Sequence, residues 1–151
     1  MFGLTDLYQE LIIDHNRSPR NRHRIEHAGR CAEGYNPLCG DRITVYLVIT
    51  GDVIEEAAFE GTGCAISTAA ASMMTEAVKG MSIAEATSLF ERFREMVTAD
   101  MDSGDTNAAA LGKLGAFAGV RRFPARVKCA TLAWHTLRAA IASEQDLVTT
   151  E

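Results

Sequence analysis

The chain has 151 residues, 47% of them hydrophobic and 23% charged, with a net charge of −5. That length favours one domain with a core of ordinary size, and the composition is that of a soluble globular protein. The negative balance gives no electrostatic argument for nucleic acid or an anionic membrane as partner, and no stretch approaches the roughly 18 apolar residues of a membrane span.

The first residues, Met1-Phe2-Gly3-Leu4-Thr5-Asp6, start an amphipathic helix and lack the basic region and apolar run of a signal peptide. A cytoplasmic, reducing location is therefore expected. Four widely separated cysteines there argue for metal binding or thiol chemistry rather than a disulfide framework. Leu4, Leu7, Leu11 and Ile12 give residues 4–15 a helical spacing. Arg17-Ser18-Pro19-Arg20-Asn21 ends that helix, because proline disfavours helical backbone in the residue before it. Residues 16–30 hold much of the chain's arginine and histidine and read as an exposed, solvated loop.

Residues around 30–36 can supply one strand. From Ile43 to Thr50 the alternation predicts another, with Ile43, Val45, Leu47 and Ile49 on the buried face. Gly51-Asp52 suits a two-residue hairpin, and 53–60 return as a further strand. The period then changes to 3.6. Residues 65–79 predict a small-residue helix with Ile66, Ala70, Met73 and Ala77 on one stripe and Gly80 closing it. Ser82-Ile83-Ala84-Glu85 is a capping box opening a helix with Ile83, Ala86, Phe90, Phe93 and Val97 inward. Residues 100–107 read as a polar loop and 108–120 as a short glycine-interrupted helix. The last helix is predicted over 124–143, with Val127, Ala130, Trp134, Leu137 and Ile141 facing the core. The expectation is one α+β domain over 1–143, a small three-stranded antiparallel sheet packed by helices, followed by a flexible tail over 144–151.

Three cysteines occupy unusual settings. Cys39 lies in Asn36-Pro37-Leu38-Cys39-Gly40-Asp41, Cys64 follows Gly61-Thr62-Gly63 at a helix start, and Cys129 follows Phe123-Pro124-Ala125-Arg126-Val127-Lys128. Turns, helix N-termini and neighbouring Arg126 and Lys128 are settings that expose a sulfur and lower its pKa. Together with Asp41 the three thiols could form one four-ligand site. Zinc is the metal that such a set suits, although three sulfurs with one carboxylate is an uncommon shell. The spacing contains no C-x-x-C pair and fits no finger or ribbon, so on spacing alone a shared site and independent buried cysteines both stand.

The flanking residues carry more. Asp14-His15 with Ser18-Pro19-Arg20-Asn21, the Asn36–Asp41 segment, Phe59-Glu60-Gly61-Thr62-Gly63-Cys64-Ala65-Ile66-Ser67, Ala71-Ser72-Met73-Met74 and Phe123–Trp134 together resemble the NifU N-terminal/IscU superfamily of iron–sulfur cluster assembly proteins, most closely its SufU branch. The resemblance implies the IscU-like α+β fold and makes Cys39, Asp41, Cys64 and Cys129 the metal ligands. It implies Zn2+, with an iron–sulfur cluster bound transiently at most. It also implies a sulfurtransferase whose Cys39 accepts persulfide sulfur from a PLP-dependent cysteine desulfurase of the SufS type, after a desulfurase histidine displaces that cysteine from zinc. Downstream iron–sulfur assembly proteins are the other implied partners; no nucleic acid or membrane is. The alternative is a scaffold on which a cluster is built and passed on. Scaffolds of the IscU type carry histidine just before the third cysteine, where this chain has Lys128, and have a shorter stretch between the second and third cysteines.

The remaining candidates have plainer readings. Cys31 reads as a semi-buried spectator that could instead displace Asp41 as a fourth sulfur ligand. Arg126, three residues before Cys129 on a helix, is expected beside the site, and Lys128 is expected to balance charge or touch a partner. His15 and residues 17–22 serve either desulfurase docking or helix termination. His135 is expected to pack rather than ligate, and Met73-Met74 to fill core. A cysteine hydrolase would need His15 or His135 beside a thiol, and a purely structural zinc domain would need its cysteines only for folding.

Overall fold

The computed structural model describes residues 4–99, 109–142 and 148–149. Strands β1 (Arg30–Asn36), β2 (Asp41–Thr50) and β3 (Val53–Thr62) form an antiparallel meander in the spatial order β3-β2-β1. Gly51 takes a positive φ of 63° in the two-residue turn that joins β2 to β3, as a hairpin with glycine first requires. Val148–Thr149, β4, add a short parallel edge to β1 through Gly34 and Tyr35. The rest of the 144–151 tail and the loop expected over 100–107 lie outside the described residues.

One face of the sheet is buried by Ala32, Gly34, Asn36, Ile43, Val45 and Leu47. Helix α4 (Pro124–Ala142) lies across β1 and β2, and α2 (Ala65–Val78) packs against β3 and α4. Helix α1 (Leu4–Arg17) covers α2, while α3 (Ile83–Thr98) covers α4. The predicted capping box is present: the Ser82 hydroxyl accepts from Glu85 N and the Glu85 carboxylate accepts from Ser82 N. Trp134 stacks between Phe90 and Phe93, tying α3 to α4.

Three expectations need correction, and one helix differs in type. Helix α2 has no single apolar stripe, because Ser67 to Thr75 are all buried. Its alanines, serines and threonines let α1, α4 and β3 approach from several sides, and hydroxyls of Ser67, Ser72 and Thr75 bond to Asp41, His15 and residues 20–21. The segment 16–30 is not simply solvated. Arg20 N donates to Ser72 Oγ, Asn21 Nδ2 to Thr75 Oγ1, and Phe59 N to Asn21 O, so the loop straps α2 to the edge of β3. The glycine-interrupted helix expected over 108–120 is present over Ala109–Arg122 as a 3-10 segment, broken at Gly112, whose φ is 60°. Cys31 is exposed rather than semi-buried, since its side chain is on the opposite sheet face from Ala32 and Gly34, which α4 covers.

Candidate metal centre

The centre is assembled where β1 ends, β2 begins and two helices start. Asn36 closes β1 and pairs with Asp41, the first residue of β2. Between them the chain turns tightly, with Asn36 O accepting from Cys39 N at 3.3 Å and Gly40 N at 2.8 Å. Gly40 has φ +74°, a left-handed conformation that residues with a side chain rarely adopt. The turn leaves Cys39 exposed and sends Asp41 inward, 2% exposed.

Asp41 sits over the start of α2. Its Oδ1 accepts from Cys64 N at 2.9 Å, and its Oδ2 accepts from Ser67 Oγ at 2.6 Å. These bonds and the positive end of the helix offset the cost of burying a carboxylate. Cys64 is the N-cap of α2; its Sγ accepts from Ser67 N at 3.5 Å and lies 3.8 Å from Asp41 Oδ2. Cys129, on the second turn of α4, comes within 3.5 Å of Cys39 Sγ.

Ligand atoms of Cys39, Asp41 and Cys129 all lie within 4.8 Å of one another; Cys64 is outside that group, its Sγ lying 3.8 Å from Asp41 Oδ2. A tetrahedral zinc shell with bonds of about 2.0–2.3 Å places its ligands roughly 3.3–3.8 Å apart. The 3.5 Å Cys39–Cys129 and 3.8 Å Cys64–Asp41 separations match that spacing. By chemical type, thiolates with one carboxylate suit a thiophilic divalent ion with one harder ligand, and Cys39, Asp41 and Cys129 are already close enough to share it.

The electrostatics of Cys129 differ from expectation. Instead of being exposed and acidified, it is 3% exposed. Burial pushes its thiol pKa well up, helped by the hydrogen bond with Cys39 and by the negative charges at Cys64 and Asp41. It lies beyond the first turn of α4, where the helix dipole has faded. Arg126 does not compensate: its guanidinium lies 5.0 Å over the exposed Phe123 ring. Lys128 is half-buried on the adjoining turn.

Two residues at the centre entered the sequence reading only as parts of motifs, with no role assigned. Asn36, fully buried, donates from Nδ2 to Cys129 Sγ at 3.6 Å while its Oδ1 accepts from Leu38 N. Ser67, also buried, holds Asp41 and reaches Cys129 O at 3.3 Å. The Asn-Pro turn signal and the third-residue position after a helix cap were the available clues.

Other candidates stay away. Cys31 is five residues up β1 from Asn36, about 16 Å at strand rise, and on the opposite face, so it does not displace Asp41. His15 is 1% exposed and bonded through Nδ1 to Ser72 Oγ at 2.7 Å, which corrects the docking role considered for its ring. His135 packs edge-on against Phe90 at 5.1 Å. Neither imidazole has a thiol among its hydrogen-bond partners in the described residues.

A family profile described as "NifU-like N terminal domain" matches residues 7–146. The chain is 43% identical over 145 residues to the zinc-dependent sulfurtransferase SufU of Bacillus subtilis, covering 95% of each. It is 42% identical over 140 residues to the iron–sulfur cluster assembly scaffold protein IscU of Streptococcus pyogenes, covering 91% of this chain and 84% of that one. Among solved structures, an iron–sulfur cluster assembly scaffold protein for the SUF system from Fervidobacterium islandicum superposes with a TM-score of 0.81 at 34% identity, covering 92% of this chain and 99% of the other. With the fold and the cysteine motifs in agreement, the chain belongs to the NifU-like N-terminal domain family.

Proposed function

We propose that this chain is a zinc-dependent sulfurtransferase of iron–sulfur cluster biogenesis, acting in the cytoplasm and accepting persulfide sulfur from a SufS-type cysteine desulfurase onto Cys39. The observation that carries the reading is an exposed thiol, Cys39, held 3.5 Å from the buried Cys129, with a ligand oxygen of Asp41 within 4.8 Å of both and Cys64 beside Asp41. The 43% identity to a zinc-dependent sulfurtransferase supports it.

Cys39, Asp41, Cys64 and Cys129 would hold the zinc, whose positive charge keeps the thiols deprotonated against the burial that otherwise protonates Cys129. The protein supplies the orientation. Cys64 N and Ser67 Oγ fix the Asp41 carboxylate, and Asn36 Nδ2 fixes Cys129 Sγ. Cys39 alone rides on a solvent-facing turn, beside Leu38 at 62% exposure, where a partner can reach it. The Cys39 thiolate attacks the outer sulfur of the desulfurase persulfide. The S–S bond breaks, the desulfurase cysteine leaves as a thiolate, and the outer sulfur stays on Cys39 as a new persulfide with no external oxidant.

Cys39→Ala is expected to return desulfurase turnover to the rate of the desulfurase alone, with an unchanged far-UV circular dichroism spectrum. Full stimulation by that variant would defeat the reading. The scaffold reading rests on the 42% identity to a protein named as one. It predicts a stable visible chromophore after anaerobic reconstitution that passes to an apo-protein, whereas the sulfurtransferase stays colourless.

A further inference from the structure

Asn36 ties two thiols of the centre to one point. It is the last residue of β1, and the alternation that turns Ala32 and Gly34 inward puts its side chain on the same buried face, at 0% exposure. Its amide oxygen accepts from Leu38 N at 3.2 Å, because Pro37 has no N–H and Leu38 carries the first donor of the turn. A backbone N–H can only donate, so this bond fixes which way the amide faces. The amide nitrogen is thereby left toward Cys129 Sγ, 3.6 Å away. Withdrawn from solvent, that N–H group has no water to turn to, and amide and sulfur hold each other in place.

The backbone of Asn36 serves the other thiol. Asn36 O accepts from both Cys39 N and Gly40 N, and Asn36 pairs with Asp41 across the two strands. One buried residue thus touches the Cys129 sulfur, the turn that presents Cys39 and the strand register that places Asp41. It is no metal ligand itself: an amide nitrogen has no lone pair to give, and the amide oxygen is turned to Leu38. The two thiols it links differ in freedom, Cys39 being exposed and Cys129 only 3% exposed. When Cys39 departs toward a partner's sulfur, Cys129 loses its neighbour at 3.5 Å, whereas the amide stays anchored at the end of β1.

We propose that Asn36 is a positioning residue for the sulfur chemistry, its amide locking the Cys129 sulfur to the root of the turn that carries Cys39. The two thiols then meet at one ion, and Cys129 keeps its place while Cys39 is away. This rests on the reading that Cys39 and Cys129 share a metal.

Zinc competition against a colorimetric chelator, with no desulfurase present, reads the effect directly. Asn36→Ser keeps a short hydroxyl that can accept from Leu38 N but does not reach Cys129. Asn36→Leu keeps the volume and loses both bonds. Each is expected to bind zinc about 10–100-fold more weakly than the parent, the usual loss when a group that orients a metal ligand is removed. With cobalt at saturation in place of zinc, the thiolate-to-metal absorption band of Asn36→Ser should be weaker per bound ion. Should Asn36→Leu fail to fold, Asn36→Ser carries the test alone. Parental zinc affinity in Asn36→Ser would overturn the proposal and leave Asn36 a turn residue only. A parent chain that takes up no zinc would overturn the metal reading along with it, so the two failures are distinct.

Discussion

Asp41 and His15 show how a few buried polar groups decide where this chain's chemistry sits. A carboxylate at 2% exposure survives because a backbone N–H and a hydroxyl from the start of α2 hold it. His15 survives by being neutral. Ser72 Oγ accepts from Arg20 N and shares a hydrogen bond of 2.7 Å with His15 Nδ1, which a neutral ring satisfies in either tautomer. Burial, and then the Arg20 guanidinium, push the His15 pKa below its ordinary value, against the smaller pull of Glu76 and Asp14. The unfolded chain therefore binds the proton more readily. The stability His15 contributes is complete above its unfolded pKa of about 6.5 and is lost as pH falls from there toward the folded value. Burial of His135 acts in the same direction. Urea midpoints measured at about pH 7.5 and about pH 5.5 should fall at the lower pH, as this linkage requires. The fall should be smaller in His15→Gln; an equal fall in both proteins would contradict the assignment.

At the scale of elements, close approach explains what periodicity missed. The strands and helices follow from alternation, caps and turn residues, so the hairpin at Gly51 and the capping box at Ser82 were legible from local chemistry. Helix α2 was misread as one-sided because serine, threonine and alanine look neutral in a periodicity count, yet they are what lets three neighbours close on it. The strap of residues 16–30 was also invisible, since its bonds run from backbone and amide groups to hydroxyls far along the chain. Gly34 is the corresponding case in the sheet. A Cβ there would run into Thr136 Oγ1 and Leu132 Cδ1 of α4. Gly34→Ala should therefore push α4 off β1 and cost about 1–3 kcal/mol in urea unfolding. A change within about 0.5 kcal/mol, the range of an ordinary surface substitution, would show that the helix gives way freely.

Across the whole molecule, the fold brings together residues that are 90 positions apart in sequence, Cys39 and Cys129, by laying α4 over the sheet and starting α2 beside it. Cys39, Asp41, Cys64 and Cys129 were singled out by their flanking turns and helix starts, and as a ligand set only by the family resemblance. The protonation bias of Cys129 was not, because burial is a property of the assembled fold and outweighs the neighbouring cations. Asn36 and Ser67 were missed for a related reason: their importance lies in what they orient. The central claim is that one metal ion is shared by Cys39, Asp41, Cys64 and Cys129. Metal analysis of the protein as purified, alongside Cys64→Ala, Asp41→Ala, Cys129→Ala and Cys31→Ala, tests it directly. The account predicts close to one zinc per chain in the parent and in Cys31→Ala, and loss of zinc in the other three. Zinc retained by those three variants, or lost from Cys31→Ala, would contradict it.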